Sequence, residues 1–187
     1  MNNGHNFLCD ADKNGGVTQP GSSTFVPTYR SVNPVIIMRS TLDFFRTRPA
    51  TTQAPFQISD EAEACAAVLM ACLRANELDV DAENAAFYTT IKSRNIFKGY
   101  DASALIDSAG EYFEQAGSPA ALIDAAIGAI RGQTRLPLFY HCLDVILADG
   151  VVTPLEHKVF QYLKGKFRVD DKLAEKALEV MVAKNQL

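Results

Sequence analysis

Leu147-Ala148-Asp149-Gly150-Val151-Val152-Thr153-Pro154-Leu155-Glu156-His157-Lys158-Val159-Phe160 is the stretch whose reading decides the fold. An apolar face at helical spacing (Phe139, Cys142, Leu143, Ile146, Leu147) leads into it, and a second one (Val159, Phe160, Leu163, Phe167) leads out. Gly150 can take a positive φ and turn the chain sharply. Thr153-Pro154-Leu155-Glu156 has the spacing of a capping box with proline at the first helical position. The stretch therefore reads as helix, tight acidic corner, helix.

A degenerate copy lies upstream, from Ala75 to Tyr88. Setting Asp81 on Thr153, an offset of 72, places Val80 on Val152, Phe87 on Val159, Tyr88 on Phe160 and Ile91 on Leu163. Before the cap the offset is 73, with Ala75 on Ala148 and Asn76 on Asp149. That reading puts one extra residue in the first corner. The repeated unit is a helix pair, and two copies predict a pseudo-two-fold bundle rather than an open array.

The other cap signals divide the rest of the chain. Ser59 or Asp60 caps a helix to about Ala75, and Asp81 caps one to about Asn95. Asp101 or Ser103 starts a third helix, with Ala104, Leu105, Ala109 and Phe113 inward. Ser118-Pro119 opens a fourth, to about Ile130. A fifth runs from near Pro137 to Ala148, and Thr153 opens the sixth. Asp170 or Asp171 caps the last, with Leu173, Ala177, Leu178 and Met181 inward. The prediction is an all-α bundle of about seven helices over residues 58–187.

Residues 1–57 have a different composition. Positions 1–33 are rich in Asn, Gly, Ser, Thr and Pro, which is loop chemistry. Asp10 to Val17 matches the first eight positions of a calcium loop, but Gly21 occupies the place of its bidentate glutamate, so the segment reads as a turn. Pro34 to Arg46 predicts a short helix carrying an apolar island: Val35, Ile36, Ile37, Met38, Leu42, Phe44 and Phe45. Such an island suits contact with a protein partner.

The corners allow two readings. Asp, Thr and Glu are ordinary residues at helix starts, where they satisfy backbone amides. They are also hard oxygen donors. Asp149 and Glu156 flank one helix N-terminus, and Glu77, Asp79, Asp81 and Glu83 crowd four carboxylates into seven residues. Such a cluster repels itself unless a cation or water screens it.

Ala148-Asp149-Gly150-x-Val152-Thr153-x-x-Glu156, between two helices, resembles the signature of TerB-like (tellurite-resistance TerB) proteins. The resemblance covers about residues 58–187. It implies an all-α fold and a divalent-cation site (Ca, Mg, Mn or Zn) at the acidic corners. It also implies a role in metal, oxidative or phage stress rather than a catalysed reaction. Asp149 and Glu156 match the pattern. In the first corner Asn76 stands for Asp149 and, at the 72 offset, Asn84 for Glu156, with Glu77 and Glu83 one residue out of register.

Charge and motif content exclude several classes. The net charge is −4, divided into +2 over residues 1–57 and −6 over 58–187, so no basic face for nucleic acid is expected. Cys9, Cys65, Cys72 and Cys142 form no CxxC and fit no zinc spacing, which predicts structural thiols in a reducing, cytoplasmic setting. No apolar run reaches the roughly 20 residues of a spanning helix. His141 and Cys142, adjacent on a helix, point about 100° apart and make no nucleophile–base pair. The expectation is a non-enzymatic domain that binds a cation or a protein partner. The alternative is an accessory or linker subunit docked through its N-terminal extension.

Overall fold

The computed structural model describes residues 44–46, 56–75 and 81–186. Val35, Ile36, Ile37, Met38 and Leu42 of the apolar island, Glu77 and Asp79 of the first corner, and the Asp10–Gly21 segment lie outside the described residues. From Glu61 onward the described residues form seven α-helices: α1 (Glu61–Ala75), α2 (Asp81–Ser93), α3 (Ala102–Ala116), α4 (Pro119–Ala126), α5 (Gly132–Ile146), α6 (Pro154–Phe167) and α7 (Asp171–Lys184). A 3-10 turn, Asn95–Phe97, follows α2, and no β-strand occurs among the described residues.

α1 is the axle of the bundle. Every residue from Ala64 to Cys72 is buried, and α2, α3, α4, α5 and α6 all pack on it. A helix apolar on all sides must be surrounded. Its alanines (Ala62, Ala64, Ala66, Ala67, Ala71, Ala75) let those neighbours approach closely. Phe87, Phe139, Phe160, Leu143 and Leu163 fill the remaining core, each fully buried.

Most predicted caps hold the helix starts. The Asp60 carboxylate accepts from the Glu63 amide at 2.9 Å, Asp101 from Ala104 at 2.8 Å, Ser118 from Ala121 at 3.2 Å and Asp170 from Leu173 at 3.1 Å. α5 differs from expectation. It starts at Gly132, more than a turn before Pro137, which sits inside the helix. No local side chain caps it. Instead Glu61 of α1 reaches across, accepting from the Arg131 amide at 3.0 Å and from the Thr134 hydroxyl at 2.7 Å. α4 ends at Ala126 rather than near Ile130. The turn that follows is held by the Arg135 guanidinium, which donates to the carbonyls of Ile130 and Ile127.

Two inward assignments are corrected by burial. Ala104 is exposed, and Leu173 is 39% exposed on the outer side of α7. The island is divided as well. Phe44 is 1% exposed, its ring edge-on to Tyr162 of α6 at 5.5 Å, so it packs within this chain. Phe45 also meets Tyr162, at 5.4 Å, but stays 50% exposed. Tyr162 is held in turn by Asp124 of α4, 2.8 Å from its hydroxyl, with Lys166 bridging to the same carboxylate.

Candidate functional site

The second corner forms as its sequence dictates. Thr153 Oγ1 accepts from the Glu156 amide at 3.2 Å, and the Glu156 carboxylate accepts from the Thr153 amide at 2.6 Å, completing the capping box. Gly150 has φ +73°, and the Asp149 carboxylate accepts from the Val151 amide at 3.0 Å, tightening the bend. The end of α7 adds a staple that has no local sequence signal. Asn185 donates from its side-chain amide to the Leu147 carbonyl at 2.7 Å. A Cβ at Gly150 would lie only 2.5 Å from the Asn185 carbonyl oxygen, so glycine is required by both conformation and space.

Glu156 is 3% exposed, although most glutamates lie at the surface. It lines a small cavity of about 10 Å³ together with Cys72, Ala75, Ile146, Leu155, Val159 and Glu83 of α2. That volume is close to the least that admits one water. Glu83 is 2% exposed. Glu83 of α2 and Glu156 of α6 thus line a single cavity, where the sequence suggested a separate site at each corner.

This arrangement corrects the repeat register. Burial supports an offset of 73 rather than 72 for α2 on α6. With 73 used throughout, no extra residue is needed. Glu83 falls on Glu156 and Phe87 on Phe160, and all four are buried. Tyr88, set on Phe160 by the shorter offset, is 45% exposed. Glu83, apparently out of register by one, is the true counterpart of Glu156. Asn76 is then the counterpart of Asp149.

Burial raises the pKa of Glu156, and the nearby charges of Asp149 and Glu83 add to the effect, against the opposing hydrogen bonds from Thr153. Together they push it up to about 8. The carboxyl is therefore largely protonated at neutral pH unless a positive charge sits beside it. Asp149 is half-buried at the same corner. Asp81 is exposed on the first turn of α2.

The donor chemistry suits a hard cation, since the ionisable oxygens here are carboxylates. The set is incomplete as it stands: among the described residues no group of three or more His, Cys, Asp or Glu side chains is placed to hold a metal ion. Asp149, Glu156 and Glu83 are the described residues that could contribute, with backbone carbonyls and water as further oxygens. The thiols nearby do not offer a second chemistry. Cys65, Cys72 and Cys142 are free and buried, and burial drives the Cys142 thiol well above its ordinary pKa, which keeps it inert. No helix among the described residues is long and apolar enough to cross a membrane.

No curated protein and no solved structure matches the chain. The family model described as tellurite resistance protein TerB matches residues 62–180, from the first turn of α1 to the last turns of α7. That span contains both corners, the central helix and the shared carboxylate cavity, and on this match the chain belongs to the TerB family.

Proposed function

We propose that this chain is a non-enzymatic TerB domain that binds a divalent cation at Asp149 and Glu156, with Glu83 as the carboxylate from the opposite repeat. The observation that carries the reading is the pair of buried glutamates, Glu83 and Glu156, lining one cavity beside Asp149. Two buried carboxylates in one place are costly unless a proton or a cation neutralises them. Oxygen donors favour Ca²⁺, Mg²⁺ or Mn²⁺ over Zn²⁺. Glu77 and Asp79 are close enough in sequence to Asp81 and Glu83 to add oxygens from the first corner. The domain would act in a cytoplasmic stress-response or protein-interaction role, with cation occupancy setting the stiffness of the two corners.

Titration calorimetry and thermal melts with Ca²⁺, Mg²⁺, Mn²⁺ and Zn²⁺ test the cation. Binding with stabilisation, reduced at least tenfold in affinity by Asp149→Asn or Glu156→Gln, is expected. No heat and no stabilisation under any of the four ions would overturn it.

A second reading, an accessory or linker subunit of a larger assembly, is favoured by Phe45. It stands 50% exposed beside the buried Phe44, so the segment that docks on α6 also offers an apolar ring outward. Removing residues 1–43 while keeping Phe44 should preserve the domain's melting temperature and abolish co-purification with a native partner. Unchanged co-purification would refute a partner contact through that region.

A further inference from the structure

A second cavity lies nearer the start of α1, on the same stripe of that helix (Cys65, Leu69) that reaches the corner cavity at Cys72. It has a volume of about 180 Å³ and is bounded by α1, the end of α2 with its 3-10 turn, and the first half of α5. Its floor is buried and mainly apolar: Cys65, Leu69, Phe97 and Leu138. The lining also includes two exposed polar residues, Arg94 and Asn95. An apolar cavity of about 150 Å³ inside a protein accepts a benzene-sized molecule, so this one has room for a single ring or a branched aliphatic group.

Three features point away from mere imperfect packing. The cavity is partly open rather than sealed in the core, and two of its lining residues, Arg94 and Asn95, are exposed. Pro137 lines it and deprives α5 of one backbone amide on this wall, so the helix contributes a shape there at the expense of a hydrogen bond. Arg94, although the chain is acidic overall, forms no ion pair with any described residue. Arg94 is exposed and among the residues lining this apolar cavity, and a guanidinium within reach of such a cavity suits an amphipathic anion, because its planar fork pairs with a carboxylate while the apolar body is removed from water.

We infer that this cavity binds a small apolar carboxylate, an aromatic or branched aliphatic monoanion, with its body against Leu69, Phe97 and Leu138 and its carboxylate on Arg94 and Asn95. The site is separate from the corner carboxylates and independent of cation binding. An occupant would bridge α1, the 3-10 turn and α5, adding to the Glu61–Thr134 hydrogen bond that already ties α1 to α5 at this wall.

Amide chemical-shift titration of the full chain with benzoate tests this, with benzyl alcohol as the uncharged counterpart. Benzoate should saturate with a Kd on the order of 1 mM, typical of a ligand of about nine heavy atoms. It should shift the amides of Thr90 to Phe97 and of Thr134 to His141. Arg94→Ala changes an exposed residue and leaves the fold in place; it should weaken benzoate about tenfold and leave benzyl alcohol unchanged. Ile96→Trp, on the half-buried 3-10 turn, fills the cavity and should abolish both. The inference is overturned if those amides do not move up to about 20 mM benzoate, if benzyl alcohol binds as tightly as benzoate, or if Arg94→Ala leaves benzoate affinity intact.

Discussion

Glu156→Gln separates the two roles of the corner glutamate. Glutamine keeps an oxygen to accept from the Thr153 amide, so the cap survives, but it cannot ionise. In the wild type the folded carboxyl titrates near 8 against an ordinary value of 4.5. Between those two pH values the folded protein holds a proton that the unfolded chain has released, so stability falls as pH rises. Full ionisation would cost up to about 5 kcal/mol. Water entering the corner relieves part of that, leaving about 2 to 4 kcal/mol at pH 8. The variant lacks this slope. In metal-free buffer it should melt roughly 6 to 12 °C above wild type at pH 8 and within a few degrees of it at pH 5. A divalent ion that binds the wild-type site should close the gap at pH 8. Thermal melts in chelator across pH 5 to 9 read all of this. If the difference between the two proteins is the same at pH 5 and pH 8, burial of the carboxyl carries no electrostatic cost and the reasoning fails.

Gly150→Ala forces a Cβ to within 2.5 Å of the Asn185 backbone at φ +73° and should destabilise by about 2 to 4 kcal/mol in urea denaturation; a loss under about 0.5 kcal/mol would show that the staple is slack. Glu61→Ala removes the acceptor of α5 and should cost about 2 kcal/mol at pH 7. The Arg131 side chain holds the Glu61 carboxyl down to about 2, so its contribution is present above 4.5 and is lost as pH falls toward 2, and the gap between variant and wild type in acid melts should shrink accordingly. Phe44→Ala should cost about 3 kcal/mol and Phe45→Ala less than about 1 kcal/mol, since only the first ring is buried; equal losses would mean that the segment does not dock through Phe44.

Where a helix carries its own start signal, its position could be read directly. Asp60, Asp101, Ser118, Thr153 and Asp170 each cap the helix that follows them, because the cap and the capped amide lie three residues apart. α5 could not be placed this way, because its acceptor belongs to a residue 70 positions earlier. Pro137 then looked like a start when it is an interior residue. The site shows the same division. Asp149 and Glu156 stand out from their spacing, since the corner that holds them is local. The role of Glu83 depends on register, and register was set by likeness of cap residues rather than by what the core buries. Aligning the buried Phe87 of α2 on the buried Phe160 of α6, and with it Glu83 on Glu156, restores it. Asn185 had no signal, because its approach to Gly150 belongs to the tertiary fold alone.

The reach of Glu61 to Arg131 and Thr134 bears on how the repeated halves came to depend on each other. A duplicated unit would be expected to close on itself, with each helix pair a small folding unit. Here the first turn of α5, which belongs to the second half, is completed by α1, which belongs to the first. α1 is in turn enclosed by helices of both halves. Each half is therefore completed only by contacts some 70 residues apart in sequence, and contacts of that range favour slower, more cooperative folding than a helix pair closing on itself. The symmetry of the sequence survives as a trace of two like parts, while the physics has made them one cooperative unit that no cut between α4 and α5 would divide into two stable pieces.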